Sequence, residues 1–520
     1  MNQDQQRPTA PDGVRRLFSE AIDCRKRGDY QQAVQILQRA RGMDSTNDKI
    51  LLELGYVYAL DYDFTGAERC FESAMRLAPA ASKNDAMMTA AHFWMDVRHF
   101  EAASKIFEQI LKQDSVPLLT FVRLSEIYTR MRRLDDAAAI ADRALQTYGN
   151  HEGALLTRAK VHREMKQLED AEKLLRIVIA KPDCETDARS AAGYELGNVL
   201  DQQGCYDEAM AAFVQAKALL RPLVAPVMPV LQAKLAQMKL MQETITELMV
   251  KSWREFGQTQ LQPTRKLALL CGYARSGTTL LEYVLDSHPQ IISADETNVF
   301  QAKVYFSLRR GLTTSSSILS VMDSMSGRNL RQVRADYFRG IESFLGQAIG
   351  DRLLIDKNPA LNFDIPAISR ILPETKFLWA LRDPRDVVLS CFMQPAPILP
   401  DTAPWLSLEG TMSNYAAMMN FWLALKPCLG HAAIEVRYED IVEDLESNAR
   451  RVLEFLGCPW DERVLRFDEE ARGKVVRSPT FAGVSKPIYK SAVGRWKNYQ
   501  KYFDPHLAKL EPFLKTFGYK

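Results

Sequence analysis

At 520 residues, 47% apolar and 25% charged, the chain is too long for one ordinary core and too apolar for a disordered one, so two or more globular domains are expected. A formal net charge of +2 argues against a generally nucleic-acid-coating protein, while leaving room for local basic pockets. The eight cysteines (24, 70, 184, 205, 271, 391, 428 and 458) include no C-x-x-C pair, which predicts reduced thiols rather than a disulfide framework, and no zinc site.

Residues 1–13 read as a disordered N-terminus, and MNQDQQRPTAPDGVRR has no apolar core of a secretory signal. From 14 to about 222 the chain repeats. Small residues recur at Ala21, Gly55, Ala91, Ser125, Ala159 and Gly197, with spacings of 34, 36, 34, 34 and 38. Nine residues on stands an aromatic or leucine: Tyr30, Phe64, Phe100, Leu134, Leu168, Tyr206. Alanine follows three later at 33, 67, 103, 137, 171 and 209. A mostly small residue comes seven beyond that: Ala40, Ala74, Ile110, Ala144, Val178, Ala216. Small residues let two helices approach closely, and the aromatic fills the gap beside the turn. Period and pattern resemble the tetratricopeptide repeat, two antiparallel helices per unit, with turns near Gly28–Tyr30 and Gly204–Tyr206. Such an array presents a concave surface for a peptide or partner, or else scaffolds the domain that follows; the sequence names no ligand.

Residues 223–263 read as one or two more helices that cap the array and end near Gly257 and Pro263. The longest apolar stretch, 224–250, is interrupted by Lys234, Lys239, Glu243 and Glu247, so no transmembrane span is expected and a cytoplasmic location is.

Residues 264–520 alternate strand and helix signals, which predicts a parallel sheet with helices on both faces. The runs Leu267–Cys271, Leu353–Ile355, Phe377–Leu381 and Ala432–Val436 are the strand candidates. The first leads into Gly272-Tyr273-Ala274-Arg275-Ser276-Gly277-Thr278-Thr279, then Leu280, Leu281, Val284 and Leu285 at helical spacing. Strand, glycine loop, helix is an anion cradle. It almost fits the G-x-x-x-x-G-K-[ST] phosphate loop, but Thr278 stands where the triphosphate-binding lysine belongs. In such sheets ligands sit beyond the carboxyl ends of the strands. Arg275, Ser276, Thr278, Thr279, Lys357, Arg382, Ser390 and Tyr438 are therefore expected to converge on one crevice.

The ordered set GYARSGTT…ADET, DKNP, FLWALRDPRDVVLSCF, VRYEDI and KPIYKSAVGRW resembles the sulfotransferase superfamily over essentially all of 266–520, and within it the tyrosylprotein sulfotransferases and bacterial repeat-bearing relatives. The resemblance implies 3′-phosphoadenosine 5′-phosphosulfate (PAPS) as donor, 3′,5′-ADP as product and no metal. It places Arg275, Ser276, Gly277, Thr278 and Thr279 at the 5′-phosphosulfate, Arg382 and Ser390 at the 3′-phosphate, and Tyr438, Lys486 and Arg495 near the nucleotide. Glu296 falls at the catalytic base, Asp295 at a second acidic position, Lys357 at the transition-state lysine and Ser478 at an assisting serine; Arg275 adds charge at the same oxygen. A two-residue insertion between Ser478 and Lys486 leaves Thr480 and Ser485 as alternatives to Ser478. Gln394 stands where the family has a further arginine. The acceptor is a hydroxyl: a peptide tyrosine, a phenol or a carbohydrate.

Taken singly, the same residues have plainer readings. Arg382 and Arg385 could form an ion-pair cluster with Asp383 and Asp386, the more so Arg385. Ser390 could bond its own helix. His288 reads as helix-end packing, and Trp379, Trp405, Trp422, Trp460 and Trp496 as core. Two competing functions are a repeat-based interaction protein with a degenerate enzyme domain and a P-loop kinase. The retained Arg275, Glu296, Lys357, Arg382 and Ser390 set opposes the first. Thr278 opposes the second.

Overall fold

The computed structural model describes residues 12–261, 263–305, 318–471, 490 and 492–520. Ser478 and Lys486, with Thr480 and Ser485, lie outside them. The N-terminal region is helical and is followed by a parallel α/β domain, as the sequence predicts.

Twelve helices follow one another in chain order as six helix–turn–helix units: Asp12–Lys26 then Tyr30–Met43, Asp48–Leu60 then Phe64–Leu77, Lys83–Asp96 then Phe100–Ile110, Leu118–Arg130 then Leu134–Tyr148, Glu152–Glu164 then Leu168–Ala180, and Thr186–Gln202 then Tyr206–Leu220. The repeat positions explain the pairing. All six of the recurrent alanines, 33 through 209, are fully buried. At Gly197 an added Cβ would stand 2.6 Å from the Phe213 ring, so only glycine lets the two helices of that pair close. Each pair turns through three residues, and the middle one is left-handed: Gly28, Tyr62, Arg98, Arg132, Lys166 and Gly204, with φ of 79°, 63°, 59°, 60°, 65° and 82°. The next backbone N–H then reaches back to cap the first helix, as in Asp63 N to Tyr58 O at 2.9 Å and Gln167 N to His162 O at 2.9 Å.

Two compact units are present. The first contains the described residues up to 127, with 298–305 and 332–348. In it, the segment after Thr297 is held by the first two repeats: Tyr62 Oη accepts from Asn298 N at 2.9 Å, Tyr30 Oη accepts from Asn298 Nδ2 at 3.3 Å, and Lys303 pairs with Asp61.

The second unit contains 128–297, 349–520 and 318–331 as far as described. Its sheet is wholly parallel, in the order β2-β3-β1-β4-β5, with β1 Leu267–Gly272, β2 Ile291–Asp295, β3 Leu353–Lys357, β4 Lys376–Leu381 and β5 Ala433–Arg437. All six residues of β1 are buried, as an apolar run in a covered parallel sheet requires. The sequence signals account for four strands. The edge strand β2, only five residues long, is an addition, and it carries Asp295 to its end. Trp379 on β4 stacks on Trp422 at 4.1 Å with both buried, so these two are core. In the same unit Asp201, near the end of the helix Thr186–Gln202, accepts from Tyr499 Oη at 2.7 Å and pairs with Arg495.

Candidate active site

The strand order reverses at β1, which has β3 on one side and β4 on the other. A crevice at the carboxyl end of that strand is where such sheets bind ligands. The loop 272–277 leaves β1 there and feeds the helix Thr278–Asp286. Gly272 is clamped by one side chain: its N–H donates to Asn362 Oδ1 at 3.1 Å and its carbonyl accepts from Asn362 Nδ2 at 2.8 Å. Gly277 has φ 92°, and a Cβ there would meet the Tyr438 ring at 2.6 Å. Glycine is therefore required both for the left-handed turn and for Tyr438 to lie against the loop. The helix has no side-chain cap, so its first N–H groups point into the loop.

On the β4 side, Arg275 Nε donates to Ser390 Oγ at 2.9 Å. Arg382 Nη1 donates to the Arg275 carbonyl at 3.3 Å, and its guanidinium lies 5.1 Å from the centre of the Tyr438 ring. Arg382 is buried, and its Nε has no hydrogen-bond partner among the described residues. Two guanidiniums, the Ser390 hydroxyl and the open helix end thus share one place. Arg382 Nη2 also donates to Ala492 O at 2.5 Å, and the buried Asp386 accepts from Gly494 N at 2.7 Å and Trp496 N at 2.8 Å, which fixes the C-terminal segment against the helix Pro384–Phe392.

On the β3 side, the register pairs Asp295 with Lys357 across β2 and β3. Lys357 is fully buried, with its Nζ 2.5 Å from Asp295 Oδ1, 2.9 Å from Glu296 Oε1 and 3.4 Å from Glu282 Oε2. Burial opposes its charge, but Glu282, Asp295 and Glu296 outweigh burial and hold its pKa above the ordinary lysine value. Glu282 is pushed up to about 8, first by burial and further by Asp295, with Lys357 opposing. Glu296 has φ 49° and Arg275 φ 71°. Among the described residues, every other non-glycine with positive φ closes a repeat turn. Strain of this kind is concentrated at functional positions.

The structure thus brings Arg275, Gly277, Arg382, Ser390 and Tyr438 together on one flank of the loop and Glu296 and Lys357 on the other. Ser276, Thr278 and Thr279 are buried in the loop and first turn. Arg495 is engaged by Asp201. Arg385 forms a two-pronged pair with Asp383 at 3.0 and 2.7 Å and covers the Trp496 ring at 3.8 Å, a structural contact. His288 Nδ1 accepts from Gln290 N at 3.1 Å, so its Nε2–H donates to Pro459 O at 2.9 Å, which is helix-end packing. Two residues of the site escaped the sequence reading. Asn362 lies in the short helical segment Pro359–Asp364, where no motif marks it. Glu282 did leave a signal: a carboxylate inside the apolar helix run LLEYVL, where a solvent-facing position would be expected to have more polar neighbours.

Residues 268–462 match a family model described as Sulfotransferase family, and residues 156–219 match one described as Tetratricopeptide repeat. The chain carries a sulfotransferase-family domain behind a tetratricopeptide array. It is similar to an uncharacterized protein of Aquifex aeolicus (strain VF5), 24% identical over 404 residues that cover 75% of this chain. The match spans only 50% of that relative's own length. It is also similar to protein-tyrosine sulfotransferase A of Caenorhabditis elegans, 26% identical over 267 residues, 49% of this chain and 68% of the relative. Among solved structures, the sulfotransferase domain from the Synechococcus PCC 7002 olefin synthase matches at 22% identity with a TM-score of 0.37, covering 49% of this chain and 96% of that one. The sulfotransferase domain of this chain contains β1 to β5 and the loop between β1 and its helix. No cluster of His, Cys, Asp and Glu suited to a metal ion occurs among the described residues, and no single described helix is long and apolar enough to cross a membrane; a bent pair, Tyr206–Val224 with Met228–Thr244, passes by length and composition.

Proposed function

We propose that the protein transfers a sulfuryl group from PAPS to an acceptor hydroxyl, releasing 3′,5′-ADP. The observation that carries this reading is the pair of guanidiniums, Arg275 and Arg382, gathered with Ser390 and Tyr438 around a loop that lacks the triphosphate-binding lysine. Planar guanidiniums suit phosphate oxygens, and a buried Nε on Arg382 with no partner among the described residues leaves a donor for one. The donor supplies an activated sulfuryl group and an oxygen that gains charge as it leaves. This chain supplies the rest. Arg275 and Ser276–Thr279 hold the phosphosulfate end, and Arg382 and Ser390 hold the 3′-phosphate. Glu296, at the end of β2, removes the proton from the acceptor hydroxyl. Lys357, at the end of β3, brings positive charge to the leaving oxygen.

The names of the nematode and other relatives support a tyrosine hydroxyl of a protein or peptide as acceptor. The repeat array would recruit that acceptor or a partner protein.

Calorimetry with 3′,5′-ADP and with ATP tests the donor. The wild type is expected to bind 3′,5′-ADP in preference. Preference for ATP, or no binding of either, overturns the reading. Labelled PAPS offered to tyrosine peptides, phenols and carbohydrates tests the acceptor.

A further inference from the structure

Lys357 is surrounded by more negative charge than it can balance. With Asp295, Glu296 and Glu282 all ionised, three carboxylates would share one ammonium, leaving a net −2 in a buried place. Uncompensated charge there is costly, so one carboxyl must hold a proton. The three are not equally placed. The side chains of Asp295 and Glu296 are 18% and 26% exposed, whereas that of Glu282 is 4% exposed. One oxygen of Glu282 has the Ser293 hydroxyl at 2.5 Å. The other is buried, has no hydrogen-bond partner among the described residues, and is the carboxylate atom farthest from Nζ of the three pairs.

Among the described residues, the charges acting on Glu282 besides Lys357 include Asp295 on β2 and Asp286 on its own helix, both negative. The apolar residues of the helix share one core with Ala268 and Leu270 of β1, Val452 and Leu453 of the helix Leu445–Leu456, and Val464 and Phe467 of the segment after it. The raised pKa of Glu282 agrees with this arrangement.

We propose that Glu282 is a proton-holding positioning residue: its neutral carboxyl lies behind Lys357, so that the ammonium is balanced by Asp295 and Glu296 alone and is able to turn toward a bound anion. An ionised Glu282 would instead hold Nζ back from the crevice. The role in donor binding rests on the PAPS reading, whereas the proton on Glu282 is a property of the ligand-free protein.

Two measurements test the proposal separately from that reading. Infrared difference spectra of ligand-free wild type and Glu282→Gln at pH 7 are expected to show one carboxylic-acid band lost in the variant. Identical spectra overturn the proposal. In the second, 3′,5′-ADP is titrated calorimetrically at pH 8 in two buffers of different ionisation enthalpy. Wild type is expected to take up a fraction of a proton on binding, since an added anion holds the proton more firmly. Glu282→Gln, which imitates the neutral acid, is expected to bind within about threefold of wild type and to lose the uptake. Equal uptake by both proteins overturns the proposal. Failure of wild type to bind 3′,5′-ADP overturns the donor reading, and the infrared result still decides Glu282.

Discussion

Arg382 meets three parts of the protein at once: the Arg275 carbonyl, the Ala492 carbonyl and the face of Tyr438. Its loss removes a phosphate ligand and also loosens the loop and the C-terminal segment. Arg382→Ala is expected to weaken 3′,5′-ADP binding roughly 10- to 100-fold, the equivalent of about 1.5–3 kcal/mol for hydrogen bonds to a charged group. Calorimetry on the folded variant is the check, and an unchanged affinity would remove Arg382 from the donor site. Glu296 separates binding from chemistry. Glu296→Ala is expected to keep nucleotide affinity and to lower transfer roughly 10²- to 10⁴-fold, the usual range for one general base. Transfer at the wild-type rate would assign the base to another residue. Arg275 and Glu296 both stand in left-handed backbone, which only a rigid surrounding sustains. For Glu296 part of that surrounding is visible: its N–H donates to Lys357 O at 2.8 Å, and Asn358 Nδ2 donates to the Thr297 carbonyl at 2.7 Å.

Among elements, the repeat pairs show how one geometry is imposed on unlike residues. Each turn needs a left-handed residue in its middle, yet only Gly28 and Gly204 suit that conformation. Lys166 occupies the same place at φ 65°, and its ammonium makes one exposed bond, to Gln202 Oε1 at 2.8 Å. Lys166→Gly relieves about 1–2 kcal/mol of backbone strain, offset in part by the larger entropy of glycine in the unfolded chain. A small rise in the thermal midpoint is expected, and a fall would show that the side-chain contact dominates. Gly197→Ala goes the other way. The new methyl would stand 2.6 Å from the Phe213 ring, an overpacking expected to cost about 1–3 kcal/mol and to lower the midpoint.

At the scale of the whole molecule, two buried groups give stability an unusual dependence on pH. Glu282 has a folded pKa raised to about 8, against about 4.3 for a free glutamate, so stability is lost as pH rises through that window. Lys217 is buried against Tyr194 and Phe392, and burial lowers its pKa to about 7, against about 10.4 unfolded. For Lys217 the unfolded chain binds the extra proton above pH 7, so stability recovers as pH rises further. Thermal midpoints from pH 5 to 10 are expected to pass through a minimum near pH 7–8. Glu282→Gln is expected to flatten the falling limb and Lys217→Met the rising one. A midpoint that changes monotonically in wild type would contradict both assignments. Much of this organisation is legible in the sequence. Periodic small residues and apolar runs are local signals, because helix pairing and strand burial depend on residues close in the chain. On those grounds the six helix pairs and four strands could be read, and the order of motifs pointed to Arg275, Lys357 and Arg382 together. The short edge strand β2, the part Asn362 plays at Gly272 and the carboxyl of Glu282 behind Lys357 could not. The repeat array, the parallel α/β class and the lysine-less loop at the end of β1 all follow from local patterns in the chain. Which charges share a buried space is set by folding instead, since the net charge around Lys357 depends on residues 282, 295, 296 and 357 meeting at one point, and no spacing along the chain encodes that distance.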